Sequence, residues 1–207
     1  MPDTTPPLPP GTKRDRTSAH LLDAAASVIA EKGYDRTSLE EVAKRAGMTR
    51  GAIYGNFRNK EALFLAVVAT KWQPILPRFA PGAGFADQMD ALAEAVIAAM
   101  PARRQVAVGA VSFQLYALTH APMRARIAEA NAEIYRQMAQ ALQANVPDGA
   151  LPVPAAQFVR VMHALIDGLM LLHALTPELV DADSVRSAFK AIGSRGVASS
   201  KKQGLPF

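Results

Sequence analysis

Apolar residues return every three or four positions through most of the chain, and no segment alternates strictly between apolar and polar side chains bounded by hairpin turns. The expected fold class is all-α. A first helix is predicted from Arg16 to Lys32, with Leu22, Ala25, Ala26 and Ile29 on one face. Gly33 is placed to end it in the left-handed conformation, with Tyr34 folding back on Ile29. Ser38 and Glu41 have the spacing of a capping box, in which each side chain satisfies an amide of the other residue. A second helix therefore starts there, buries Leu39, Val42, Ala43 and Ala46, and stops at Gly47. Thr49 is the expected cap of a third helix, whose approach angle Met48 and Ile53 fix as a hydrophobic staple. Asn59 caps a fourth over 60–73. After a Pro- and Gly-rich break, helices are predicted over 85–100, 102–119, 122–145, 154–175 and 183–192, punctuated by Pro101, Pro122, the 147–154 segment and Pro177.

Two short helices joined by a tight glycine turn describe a helix-turn-helix, whose second helix enters the DNA major groove. An ordinary helical hairpin shares that spacing, so the surface residues have to distinguish the two. Helix three, Thr49-Arg50-Gly51-Ala52-Ile53-Tyr54-Gly55-Asn56-Phe57, carries small or polar residues over its first turn, which lets its backbone approach bases closely. Arg50 has the donors to read guanine N7 and O6. Tyr54 and Asn56 can donate to phosphate oxygens, Lys60 adds a positive charge, and Ser38 reaches phosphate from the start of helix two.

Composition sharpens this picture only slightly. The net charge of +5 favours an acidic partner, and residues 1–60 hold ten Lys/Arg against seven Asp/Glu. The absence of cysteine excludes disulfides, thiolate metal sites and a cysteine nucleophile. No apolar leader opens the chain, and its longest apolar run, 164–175, is interrupted by Asp167 and His173, so a cytoplasmic location without membrane partners is expected. No cofactor or metal site is expected, and the protein reads as a non-enzyme, because no nucleophile or glycine-rich phosphate loop accompanies the His163/Asp167 pair.

The run from Thr37 to Phe64, TSLEEVAKRAGMTRGAIYGNFRNKEALF, together with the preceding Ala25–Tyr34 stretch, resembles the tetracycline-repressor (TetR) family. Matching positions imply DNA roles for Ser38, Arg50, Gly51, Tyr54, Asn56 and Lys60, with Thr49 as a cap or phosphate donor. Asn56 departs from the histidine often found there and supplies a donor without a titratable charge. The resemblance further implies nine or ten helices, a homodimer formed by the last two long helices, and an effector pocket in the C-terminal domain. The expected organisation is a disordered tail over 1–11, a three-helix DNA-binding domain over 12–60, a helical effector-binding and dimerisation domain over 61–193, and a flexible tail over 194–207.

The 154–175 segment is apolar around most of its circumference and must be covered on two faces. Met162, Ile166, Gly168, Leu169 and His173, with Val185 and Phe189 from the last helix, are the expected dimer seam, Gly168 permitting close helix approach. For a largely apolar effector the candidate lining is Met89, Phe113, Gln114, Tyr116, Ala117, His120, Asn131 and Tyr135, the small Ala117 leaving room. Helix four, running from Lys60 toward Trp72, is the expected lever between ligand and DNA. The function these readings imply is a repressor released from a palindromic operator by a small molecule. The alternative is a helical small-molecule carrier that binds no DNA.

Overall fold

The computed structural model describes residues 13–71, 75, 77, 79, 80, 82–146 and 149–200. The expected tail over 1–11, the lever's end at Trp72 and the last seven residues lie outside them. Eight helices and no strand occur among the described residues: α1 Lys13–Lys32, α2 Leu39–Arg45, α3 Arg50–Asn56, α4 Lys60–Lys71, α5 Phe85–Thr119, α6 Ala121–Asn145, α7 Ala155–Leu175 and α8 Ala182–Ser200. The fold class is all-α, as the periodicity predicts. Two compact units divide the chain: one combines residues 1–73 with Val108–Tyr116, and the other combines 74–107 with 117–207.

The first unit builds on α1, whose Leu21, Ala25 and Val28 are fully enclosed. Gly33 ends this helix with φ +83°, the left-handed region expected for it. The Gly33 amide donates to the Ile29 carbonyl at 2.8 Å. The Tyr34 amide donates to Ser112 Oγ at 2.7 Å, and its ring packs edge-on against Phe64 and Phe113 at centroid distances of 5.1 and 5.4 Å. Those partners come from α4 and from the 108–116 stretch of α5. Tyr34 is thus the centre of the unit, and burial pushes its hydroxyl well above the usual phenol range. Gly109 marks another close approach, since a Cβ there would lie 2.6 Å from Ile29 Cγ2.

The second unit has a core of Met89, Ala93, Val96 and Met100 from α5, Phe158 and Met162 from α7, and Val185 and Phe189 from α8. Helix α6 packs on α7 through a smaller cluster of Ala139, Ala155 and Val159. Pro101 does not divide α5, although a break there is predicted. A proline removes one amide donor and crowds the carbonyl four residues back. Burial of Val96 and Met100 before it, and of Gly109 and Phe113 after it, offsets that cost. Nor does α8 stop at residue 192. Gly193 lies inside the helix with room for no side chain, a Cβ there meeting Ala86 Cα at 3.2 Å, and the helix continues to Ser200 in place of the tail expected from 194.

Candidate nucleic-acid interface

Helices α2 and α3 are positioned by their own caps. Ser38 Oγ accepts from the Glu41 amide at 3.2 Å, and Thr49 Oγ1 accepts from the Ala52 amide at 3.2 Å. The capping box is only half formed, because the Glu41 carboxylate pairs with Lys32 of α1 instead of returning to Ser38. Between the helices, Gly47 has φ +65°, and the Met48 amide donates to the Ala43 carbonyl at 2.8 Å, closing the turn. Ile53 is fully buried, as are Val42 and Ala43, so the opposite side of α3 faces outward. Asn59 Oδ1 accepts from the Ala62 amide at 2.8 Å, capping α4 as predicted.

The residues expected to meet DNA are distributed around this outward side. Ser38, Thr49, Arg50, Gly51 and Tyr54 are exposed, and the Arg50 side chain retains 74% of its accessible surface. Its guanidinium lies over the Tyr54 ring, 5.4 Å from the centroid. Two candidates are partly engaged. Asn56 Nδ2 donates to the Ala52 carbonyl at 2.8 Å. Lys60 Nζ donates to the carbonyls of Tyr34 and Asp35 at 3.2 and 3.1 Å and sits over the Tyr34 ring, so it also binds the end of α1. Sequence reasoning passed over Glu40, whose carboxylate accepts from Tyr54 Oη at 2.8 Å and lies 3.5 Å from Arg50. Those contacts lower its pKa, the Tyr54 hydrogen bond first and Arg50 last. The signal available was an acidic residue on the polar side of the first turn of α2. That it faces Arg50 depends on the angle between the two helices.

The eight candidate effector residues are drawn from both units. Met89 is enclosed in the core of the second unit, while Phe113 and Tyr116 belong to the first and pack around Tyr34. Tyr116 Oη donates to Glu61 Oε1 at 2.8 Å. Gln114 and His120 are exposed, Asn131 is half-buried and Ala117 is buried. Tyr135 shares a 2.5 Å hydrogen bond with His163 Nδ1, and His163 Nε2 lies 3.4 Å from Asp167, so the expected His163/Asp167 pair has a third member. A groove of about 630 Å³ lies elsewhere in the second unit, lined by Asp90, Glu94, Asp183, Arg186 and Lys190. Charged side chains predominate among the residues lining it, and none of the candidates is among them.

The expected dimer residues separate in the same way. Val185 and Phe189 are fully buried and Met162 is 6% exposed, all three within the core of their own chain. In the single chain they contribute to the core and not to an exposed face. Hydrophobic periodicity identifies a buried face without saying which molecule buries it. Ile166 and Leu169 also pack partly against that core. His173 Nδ1 lies 2.7 Å from the Val180 carbonyl and ties the end of α7 to the following loop. Gly168 has open space where a side chain would project. Among the described residues, no group of three His, Cys, Asp or Glu is placed to hold a metal ion.

A capped helix pair with an exposed arginine-led second helix, followed by a larger helical unit, defines a helix-turn-helix transcriptional regulator. Residues 21–67 match the bacterial regulatory proteins of the tetR family, and 85–194 match the C-terminal domain described for BetI-type transcriptional repressors. The chain belongs to the tetR family of DNA-binding regulators. It is 25% identical over 158 residues to the regulator SrpR of Pseudomonas putida, covering 75% of this chain and 74% of that protein. A transcriptional regulator from Rhodococcus sp. Rha1 shares the fold at 24% identity with a TM-score of 0.65, covering 94% of this chain and all of its own. So does a regulator from Saccharomonospora viridis solved in complex with choline, at 16% identity and a TM-score of 0.60, covering 86% of this chain and 95% of its own. Regulators of this family bind operator DNA and dimerise, and often take small-molecule effectors.

Proposed function

We propose that the protein is a cytoplasmic homodimeric repressor, released from a palindromic operator when a small molecule binds its C-terminal unit. The observation that carries this reading is the outward face of α3, where Arg50 is exposed at the start of a helix held by caps and by buried Ile53. Two such helices related by a two-fold axis meet successive major grooves about 34 Å apart. Arg50 reads guanine, Gly51 lets the backbone approach, and Ser38, Thr49, Tyr54, Asn56 and Lys60 bind phosphate. To relieve repression, the effector has to bind the DNA-incompetent arrangement more tightly, by about 1–3 kcal/mol.

The dimer seam supported best is the exposed side of α7. Val161, Leu172 and Leu175 are 50, 49 and 67% exposed and continue the stripe that contains Gly168. Only 17% of the most apolar window of this helix is buried within the chain, so an apolar partner surface is required.

Selection from random and genomic DNA, followed by titration at two salt concentrations, tests the DNA reading. Sequence-dependent binding that weakens steeply with salt is expected. Arg50→Ala relaxes choice at one base position, whereas Lys60→Ala weakens binding to all sequences alike. Absence of salt-sensitive binding to any fragment defeats the proposal.

A further inference from the structure

Glu40 is an acidic residue on the surface that must meet a polyanion. Its side chain is 48% exposed, and it joins Tyr54 Oη at 2.8 Å to Arg50 at 3.5 Å. Stability does not account for it, because exposed ion pairs contribute about 0–1 kcal/mol. A carboxylate facing DNA phosphate is repelled and so lowers affinity for every sequence. The same group becomes useful where the DNA presents a donor. In the major groove, cytosine N4 donates beside the guanine O6 with which it pairs, and a carboxylate, which only accepts, is suited to that amino group.

We infer that Glu40 is a specificity-determining residue that accepts a hydrogen bond from cytosine N4 next to the guanine contact of Arg50. This rests on the DNA-binding reading of α2 and α3. The 3.5 Å separation places acceptor and donor side by side, as the polar atoms on the edge of a G·C pair are placed. Arg50 leaves Glu40 for guanine, and the vacated acceptor takes the cytosine amino group. Tyr54 Oη holds the carboxylate toward α3 before DNA arrives, and its hydroxyl is released to phosphate once the cytosine amino group has taken its place. At a site without the amino group, the carboxylate is desolvated among phosphates with no new donor, so discrimination works by rejection as well as attraction.

The test compares the full-length wild type with Glu40→Gln and Glu40→Ala in a DNA selection and in titrations against operators substituted at every position. The wild type is expected to prefer cytosine at one position of each half-site by roughly tenfold, within the range of a good base contact. Glu40→Ala flattens that position and raises affinity for unrelated DNA. Glu40→Gln moves the preference toward adenine, because a carboxamide matches adenine N6 and N7. If both variants bind every DNA more tightly by one common factor with base preferences unchanged, Glu40 is only a repulsive charge and the inference is overturned. Failure of the wild type to bind any sequence would instead defeat the regulator reading itself. Glu40→Gln, nearly isosteric and still able to accept from Tyr54, keeps the test valid if Glu40→Ala misfolds.

Discussion

Gly109 and Ile29 illustrate how single residues set the packing of the first unit. With 2.6 Å between a hypothetical Cβ and Ile29 Cγ2, Gly109→Ala forces Ile29 out of place, at an overpacking cost of about 1–3 kcal/mol. Ile29→Ala alone opens a cavity and costs about 2–5 kcal/mol. The double variant is expected to be more stable than the sum of the two losses predicts, because the alanine removes the methyl group that the new Cβ strikes. Chemical denaturation of the four proteins measures this coupling; strict additivity would contradict it. Charge acts at the same scale. Glu31 bonds to both terminal nitrogens of Arg45 at 2.6 and 2.8 Å, and this pairing brings its carboxyl from the ordinary 4.5 to about 2. The depressed folded value means that the α1–α2 pair stabilises the folded state above about pH 4.5, and that this contribution fades as pH falls toward 2. Thermal melts over that range should show a shallower acid decline for Glu31→Gln; identical slopes would remove the pair from the account.

Among elements, α5 shows most clearly where local sequence rules are overruled. A proline within an apolar periodic segment reads as a boundary because its ring cannot donate and crowds the preceding turn. The rule describes an isolated helix. In the folded chain the residues on both sides of Pro101 are held by burial, and one missing hydrogen bond is a smaller loss than the exposure of Val96 and Met100. Pro101→Ala is therefore expected to stabilise the protein, by up to about 3 kcal/mol, since it restores a donor and removes a clash. A lowered melting temperature would show that the proline is needed for the native course of α5. The helix-turn-helix behaved differently. Ser38, Gly47, Thr49 and Asn59 were legible because caps and turns are local, each satisfied within a few residues. Glu41 shows the limit, since its carboxylate prefers Lys32 nine residues away to its own capping box.

For the whole molecule, the question is which apolar faces belong to the chain and which to its partner. The interior of the second unit consumes Met162, Val185 and Phe189, leaving Val161, Leu172 and Leu175 on the other side of α7. The double variant Leu172→Glu/Leu175→Glu should sediment as a monomer with unchanged helical circular dichroism. It should also bind a full palindrome no more tightly than a half-site, because loss of the dimer removes the second contact. A dimer that persists in this variant would move the seam to another surface.

The sequence by itself determined the helical class, the starts of α2, α3 and α4 and the turn at Gly47, because each depends on contacts among near neighbours or on a repeating period. Only the tertiary structure decided that α5 continues through Pro101, that the Tyr34 amide finds Ser112, and that Glu40 meets Arg50. It also divided the apolar residues of α7 and α8 between the chain's own core and an open face. Those outcomes arise from side chains far apart along the chain competing for the same volume and the same hydrogen bonds. No periodicity in one segment records what another segment brings against it.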